Sequence, residues 1–407
     1  MPPRPPRVLV APNAFKGSCS AEVAARAMAL GLTDAWPGIQ PVLLPLADGG
    51  DGFLAVLVRG TGGRVTRHQV AGPLGRPHRA PLGWLGGPGP ATAVVELASA
   101  CGLRLVGTPT VESSLRASTV GLGQLIRVAL DRGAQRLLIG VGGSASTDGG
   151  AGCLAALGLG IVDGRGRPVV SGGGRLAEVA TLDRTGLDPR LARIPMVVAV
   201  DVRNPLLGRS GAARVYAPQK GADPSAVEQL EQGLRRWARL LSPGGRDLSP
   251  QSPGAGAAGG TAFGLAAGLG AQLAPGAVVV AERVGLDRAL SSAGLVLTGE
   301  GRLDHQSLFG KATQLVAERA AQAGTACAVL CGSVEPGAER ALARMGATAL
   351  PLGDGPRTLA DAVEATRSDL RRAAARAGRL WRAGCTGQST GVTHSRYFST
   401  LPRTTSK

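Results

Sequence analysis

RLLIGVGGSASTDGGAGCLAALGLG, residues 136–160, decides how the chain is read. Its first residues form a short apolar run bounded by glycine, which reads as a buried strand. Gly149 and Gly150 then open a second apolar run that reads as a helix. Between the two, Gly142 and Gly143 leave the strand, Ser144, Ser146 and Thr147 offer hydroxyls, and Asp148 supplies a carboxylate. Glycines that free backbone N–H groups beside a helix start form a cradle for an anion, phosphate above all.

The same strand–loop–helix rhythm recurs on both sides. RVLVAPN (7–13) reads as a strand, and Ser20 caps the amphipathic run AEVAARAMALGL. QPVLLPLA (40–47) is a second strand, and MVVAVDV (196–202) is another. Helices are predicted over 119–132 and 224–241. From residue 294 on, GLVLTGEG, a helix from about 311, TACAVLCG, a further helix and TALPL continue the alternation. Residues 64–98 differ, and their Gly/Pro turns predict antiparallel strands. The pattern is that of an α/β protein. The last helix is predicted over 358–379, and 381–407 reads as a disordered, dispensable tail.

Composition narrows the function. The 407 residues carry 45 Lys+Arg against 28 Asp+Glu, a net charge of +17, with 44% hydrophobic and only 3% aromatic residues. That hydrophobicity excludes general disorder, and no apolar run reaches the ~18 residues of a membrane span. The basic start MPPRPPR precedes too short an apolar stretch for a signal peptide, so a soluble cytoplasmic protein is expected. The charge is not that of a nucleic-acid binder. Only four residues are Lys, and the last 52 positions alone hold ten Arg/Lys against three Asp/Glu. The rest is spread thinly, without the stripe and stacking rings that nucleic acid requires. Six scattered cysteines lack zinc-ligand spacing and are expected to be buried and reduced.

Four loops that follow predicted strands carry carboxylates. They are ADGGDG (47–52) with Asp48 and Asp51, the glycine loop with Asp148, AVDVRNPL (199–206) with Asp201 and Asn204, and TGEGRLDHQSLFGK (298–311) with Glu300 and Asp304. In open α/β sheets ligands bind beyond the carboxyl ends of the strands, where these loops lie. Asp304 reads as a helix cap, and His68 and His78 as ordinary hairpin histidines. Lys16, Lys220 and Lys311 each sit in a short glycine-bearing loop, suited to a phosphate or a carboxylate; a solvated loop lysine is the plainer alternative for each. The P-loop pattern is absent, since His305 and Ala312 break it around Gly310-Lys311. Gly254, Gly256 and Gly259 spell GxGxxG, but after LSPQSP rather than a strand, so 242–260 reads as a flexible loop over a ligand. No GxSxG elbow supports a serine hydrolase.

Nine blocks in this order resemble the glycerate kinase family. They are APNAFKGSCSA, PLADGGDG, AGPLG, ASTVGLGQLI, GVGGSASTDGGAG, VDVRNPLLG, GAARVYAPQKGA, PGAGAAGG and LTGEGRLDHQSLFGK, spanning residues 8 to about 332. The resemblance implies a Rossmann-like parallel-sheet domain built from both chain ends (1–65 plus 285–380) with a second α/β domain (66–284) inserted. It also implies transfer of the ATP γ-phosphoryl group to D-glycerate with Mg2+, the 2-hydroxyl being preferred over the 3-hydroxyl. A kinase for another small hydroxy acid, or a non-catalytic Arg-rich binding protein, is the alternative. Phosphoryl transfer needs alignment and charge neutralisation more than covalent help. Asp201, Asp148 and Lys16 are therefore the expected catalytic residues, with Asp201 and Asp148 also for Mg2+. Gly142, Gly143, Ser144 and Thr147 are expected to cradle phosphate, and Lys220 and Lys311 to neutralise phosphate or substrate carboxylate. Asn204 is assigned to the substrate, with Asp48 and Glu300 as further site carboxylates. Asn13 and Ala14 stand where the family commonly has Asp and Ser, so Asn13 is given no role as a base.

Overall fold

Strands from the two ends of the chain share one sheet. In the computed structural model, which describes residues 7–169, 172–242, 249–303, 311–355 and 357–389, its order is Ala347–Pro351, Ala326–Val334, Leu295–Leu303, Val8–Val10 and Val42–Leu43, parallel throughout. Parallel strands covered on both faces can be apolar at every position. Val8–Val10 are all buried, as are residues 295–300. The middle of the chain builds a six-stranded sheet in the order Gln272–Pro275, Met196–Val200, Arg136–Gly140, Thr92–Glu96, Pro77–Trp84 and Arg64–Ala71. Its first four strands are parallel and the last two antiparallel, as the turns in 64–98 predict. The fold is thus α/β, with a parallel sheet from both chain ends and a second α/β unit inserted between them.

The two sheets share an apolar core. Leu9, Val296 and Val329 from the first meet Val94, Leu138 and Ala199 from the second, with Phe53, Leu57 and Val280 of intervening helices packed among them. The helix Pro224–Leu241 begins where predicted, capped by Asp223, and buries Trp237 completely. The Trp237 indole N–H donates to the Gly149 carbonyl at 2.9 Å, so this helix supports the glycine loop from behind. All six cysteines are free, and burial pushes the thiols of Cys101, Cys327 and Cys331 up to about 12. Among the described residues no helix is long and apolar enough to cross a membrane.

Two elements differ from the sequence reading. Of the strand expected over 40–47, only Val42–Leu43 is regular strand, although the Leu44 and Leu46 N–H groups still donate to the Val10 and Pro12 carbonyls at 2.8 and 2.9 Å. The last helix runs from Leu359 to Ser389 rather than ending at 379, so residues 381–389 are helical and not part of a disordered tail; 390–407 lie outside the described residues. The extension has a packing cause. Trp381 lies against the core beneath the helix Ala21–Ala35, and the Arg382 guanidinium stacks over the Trp36 ring at 5.8 Å. Closer in, a Cβ on Gly31 would stand 2.0 Å from the Arg371 carbonyl, so only glycine lets these two helices touch. A chain ending at Leu380 should therefore melt about 2–4 °C lower for each kcal/mol of lost Trp381 and Arg382 contact. An unchanged melting temperature in calorimetry would mean that these contacts contribute nothing.

Candidate active site

The carboxyl ends of both parallel sheets open onto one junction. Gly142, leaving the strand Arg136–Gly140, donates its N–H to the Gly49 carbonyl at 3.1 Å. A Cβ on Gly142 would lie 2.5 Å from Gly50 Cα, an approach that only glycine allows. The two loops touch backbone to backbone. A methyl placed on Gly50 would lie 3.8 Å from Asp48 Oδ1 and 4.0 Å from Asp201 Oδ2, so carboxylates from the two sheets flank the same small space. Asn13, at the end of the first strand, donates from Nδ2 to Asp48 Oδ2 at 3.2 Å and accepts the Ala14 N–H at 2.8 Å. It orients Asp48 and has no basic atom to offer.

Charge at this junction is coupled. The Asp201 carboxyl is pushed up to about 6, first by desolvation and then by the neighbouring Asp48 carboxylate; Lys16 and Lys311 pull it back. The residue as a whole reaches solvent, but its carboxyl group points into the crowded space between the loops. Lys16 is exposed at the mouth, and Lys311 stands half-buried at the start of the helix Ala312–Ala323. Glu300 is buried at 7% exposure near the carboxyl end of its strand. Asp304 lies outside the described residues.

Tyr216 belongs to this neighbourhood and was not expected there. Its phenol is pushed up to about 12 by burial and by Asp201, and its hydroxyl donates to Asn204 Oδ1 at 2.6 Å. The scarcity of tyrosine, two in the whole chain, was the available signal. Asn204 in turn donates from Nδ2 to the Ser210 carbonyl at 2.8 Å. One hydrogen bond at each end fixes the amide of this half-buried residue and leaves a second N–H and a second lone pair on it.

The glycine loop is more internal than its composition suggests. Gly143 is exposed and Gly142 half-buried, whereas residues 144–150 are buried. Asp148 is 1% exposed. Its Oδ2 accepts from Thr119 Oγ1 at 2.7 Å, Thr119 N at 2.9 Å and Gly152 N at 3.2 Å, and its Oδ1 from Gly150 N at 3.1 Å. Those donors include the first N–H groups of the helix Ala151–Ala156, so its end is capped from within. Asp148, expected in catalysis and at Mg2+, is engaged here as a buried acceptor by four donors. Thr147 is fully buried and cannot cradle a ligand at the surface. The backbone N–H groups of Gly143 and Ser144 have no acceptor among the described residues. The loop N–H groups without a partner among the described residues at its front are therefore those of Gly143 and Ser144.

Lys220 is also internal, at 3% exposure. Its Nζ donates to Ser144 Oγ at 2.9 Å and to the Ser146 carbonyl at 2.5 Å, so it stands behind the loop and not at the junction. The segment 254–260, expected to be a flexible cover, is packed beneath the loop. Gly149 donates to the Gly259 carbonyl at 3.0 Å, and Gly256 to the Asn204 carbonyl at 2.9 Å. Residues 243–248 lie outside the described set. A cavity of about 380 Å³ lies beside Val8 and Ala293, at the amino ends of the first sheet's strands, and none of the junction residues lines it.

Comparison with known proteins places the chain in a family. The sequence pattern of the glycerate kinase family matches residues 8–382. A glycerate kinase of Bacillus subtilis (strain 168) is 39% identical over 371 residues, covering 89% of this chain and 96% of the relative. A glycerate 2-kinase of Escherichia coli K12 is 40% identical over 305 residues, 75% of this chain and 79% of the relative. A crystal structure described as glycerate kinase 2 from Salmonella typhimurium LT2 superposes with a TM-score of 0.76 at 35% identity. It covers 93% of this chain and 99% of its own.

Proposed function

The chain belongs to the glycerate kinase family and is a kinase, and from this we propose that it transfers the γ-phosphoryl group of ATP to the 2-hydroxyl of D-glycerate. The name of the Escherichia coli relative supports the 2-position. One observation carries the reading at the level of residues. Two carboxylates, one from each sheet, flank one space within electrostatic reach of two lysines from loops of the first sheet, beside an exposed glycine turn with unused N–H groups.

We read Asp201 as the group that takes the proton of the attacking hydroxyl. A carboxylate with its pKa raised to about 6 is still ionised at neutral pH and is a better base than an ordinary one. As the hydroxyl oxygen bonds to the γ-phosphorus, the bond to the β-bridging oxygen breaks and ADP departs. Lys16 and Lys311 neutralise the charge on the moving group and on the glycerate carboxylate. Gly143 and Ser144 donate backbone N–H to phosphate oxygens.

Mg2+ commonly binds through one or two carboxylates plus substrate phosphates. Among the described residues no cluster of three or more His, Cys, Asp or Glu side chains could hold a metal. Asp48, turned by Asn13 toward the space it shares with Asp201, fits that sparser arrangement, and Glu300 is the second choice. A Mg2+ ion held there would neutralise the nucleotide phosphates. We further read 1–65 with 285–380 as one domain, 66–284 as the inserted one, and the enzyme as cytoplasmic.

ADP release measured by a coupled assay over glycerate, tartronate, lactate and glyoxylate tests the substrate. Glycerate should give the highest kcat/KM. Preference for another of these hydroxy acids would replace the substrate assignment, and turnover with none would overturn the reading.

A further inference from the structure

We propose that Lys220 is a positioning residue for phosphate binding, fixing the front of the glycine loop from behind through Ser144 and Ser146 without meeting the nucleotide itself. This rests on the reading of the Gly143 and Ser144 N–H groups as the phosphate cradle. An ammonium has three hydrogens to donate. Two of Lys220's are committed to the loop, to Ser144 Oγ at 2.9 Å and the Ser146 carbonyl at 2.5 Å, and its 3% exposure leaves no path for the third to a ligand at the surface.

Besides the Trp237 indole and backbone bonds to Gly49, Cys101, Leu103 and Gly259, two buried ionisable side chains hold the loop. Asp148 gathers the N–H groups of its far half and of the helix beyond, and Lys220 holds the near half, next to the exposed Gly143. No other side chain does so, since Ser146 Oγ and Thr147 Oγ1 are buried with no partner among the described residues. Lys220 ends the turn Pro218–Lys220, which directly follows the helix Ala212–Tyr216. One segment therefore carries both the tie to the glycine loop and the tyrosine beside Asp201. The choice of lysine fits the site. In a chain that uses arginine for nearly all its cations, a compact ammonium stands where a planar guanidinium would need a wider cavity. Burial draws the Lys220 pKa down to about 7, against the pull of Asp148.

The test is a double-mutant cycle of Lys220→Met and Ser144→Ala, read by kcat, by KM for ATP and for glycerate, and by ADP affinity in calorimetry. Misplacing the cradle by about 1 Å should cost roughly 10²-fold in kcat/KM for ATP. Lys220→Met should show that loss with the glycerate KM little changed; because it leaves the buried Ser146 carbonyl and Ser144 hydroxyl without their donor, its melting temperature should fall modestly as well. Ser144→Ala should lose less in the same direction, and the double variant no more than Lys220→Met alone, since the two act through one bond. Additive losses would mean that Lys220 meets phosphate independently, and full activity in Lys220→Met would remove any role; either overturns the proposal.

Should Lys220→Met fail to fold, Ser144→Ala carries the test alone. A several-fold rise in KM for ATP supports the proposal, and an unchanged KM overturns it. If the wild type turns over none of the hydroxy acids, the functional reading fails, while ADP affinities across the cycle still decide the role of Lys220. If the wild type is active and the losses add, only the role of Lys220 fails.

Discussion

Asp201→Asn should lower kcat by roughly 10²–10³-fold and leave the protein folded, the usual cost of removing a group that acts on the transition state. The substitution is nearly isosteric and removes only the basic oxygen and the charge. It should also separate activity from stability in a pH-dependent way. The folded-state pKa of about 6 lies above the ordinary carboxylate value, so the folded protein binds this proton more tightly than the unfolded chain does. Stability therefore falls as pH rises from about 4 to 6, and above pH 6 the ionised carboxylate carries its full cost. Asparagine carries none. Melting curves at pH 7.5 should place the variant level with or above wild type, and at pH 4 that advantage should be gone. In the wild type kcat/KM should decline below about pH 6. A variant that kept its turnover, or melted well below wild type at pH 7.5, would mark Asp201 as structural.

Asp148→Ala should do the reverse. It strands the N–H groups of Thr119, Gly150 and Gly152 and the Thr119 hydroxyl in a site without water access. Each buried donor left unsatisfied costs about 1–3 kcal/mol, so denaturant titration should show a loss of at least about 3 kcal/mol. Turnover of the folded fraction should fall far less than in Asp201→Asn, because Asp148 ties the far half of the loop and the helix beyond, not Gly143 and Ser144. Near-normal stability together with abolished turnover would return Asp148 to the catalytic machinery.

The contrast between these two aspartates marks where reading the sequence stops. Both follow a buried strand, both stand beside glycine or a turn, and nothing local separates them. What separates them is distant in the chain. Thr119, 29 residues upstream, supplies two of the donors that engage Asp148, whereas Asp201 meets Asp48 from the other sheet. Lys220 misled for the same reason. A lysine in a glycine-bearing turn was read as reaching phosphate or a carboxylate, and only the fold brings that turn against Ser144. The bonds of Asn204 to Tyr216 and Ser210 were likewise invisible in the sequence, since only the fold brings the three together.

The fold itself was far more legible. Apolar runs such as Val8–Val10 and Leu295–Leu303 bury every position of their central segments and need no partner to be recognised. The helix Pro224–Leu241 announces both its ends. Boundaries failed where tertiary contact overrode local signal, as at Trp381 against the first helix, and at the edge strand, of which only Val42–Leu43 is regular. The glycine segment at 254–260 looked mobile because glycine permits motion, but here it permits close packing beneath the loop.

Phosphorus NMR of a reaction containing wild-type protein, ATP and D-glycerate tests the central claim most directly. Transfer to the 2-hydroxyl puts phosphorus on a carbon bearing one hydrogen, so a new glycerate-dependent monoester signal should appear as a doublet while the ATP γ-signal decays. A triplet, from phosphorus on the CH2 carbon, would contradict the 2-position. No glycerate-dependent ester at all, with ATP intact or merely hydrolysed to inorganic phosphate, would contradict the account as a whole.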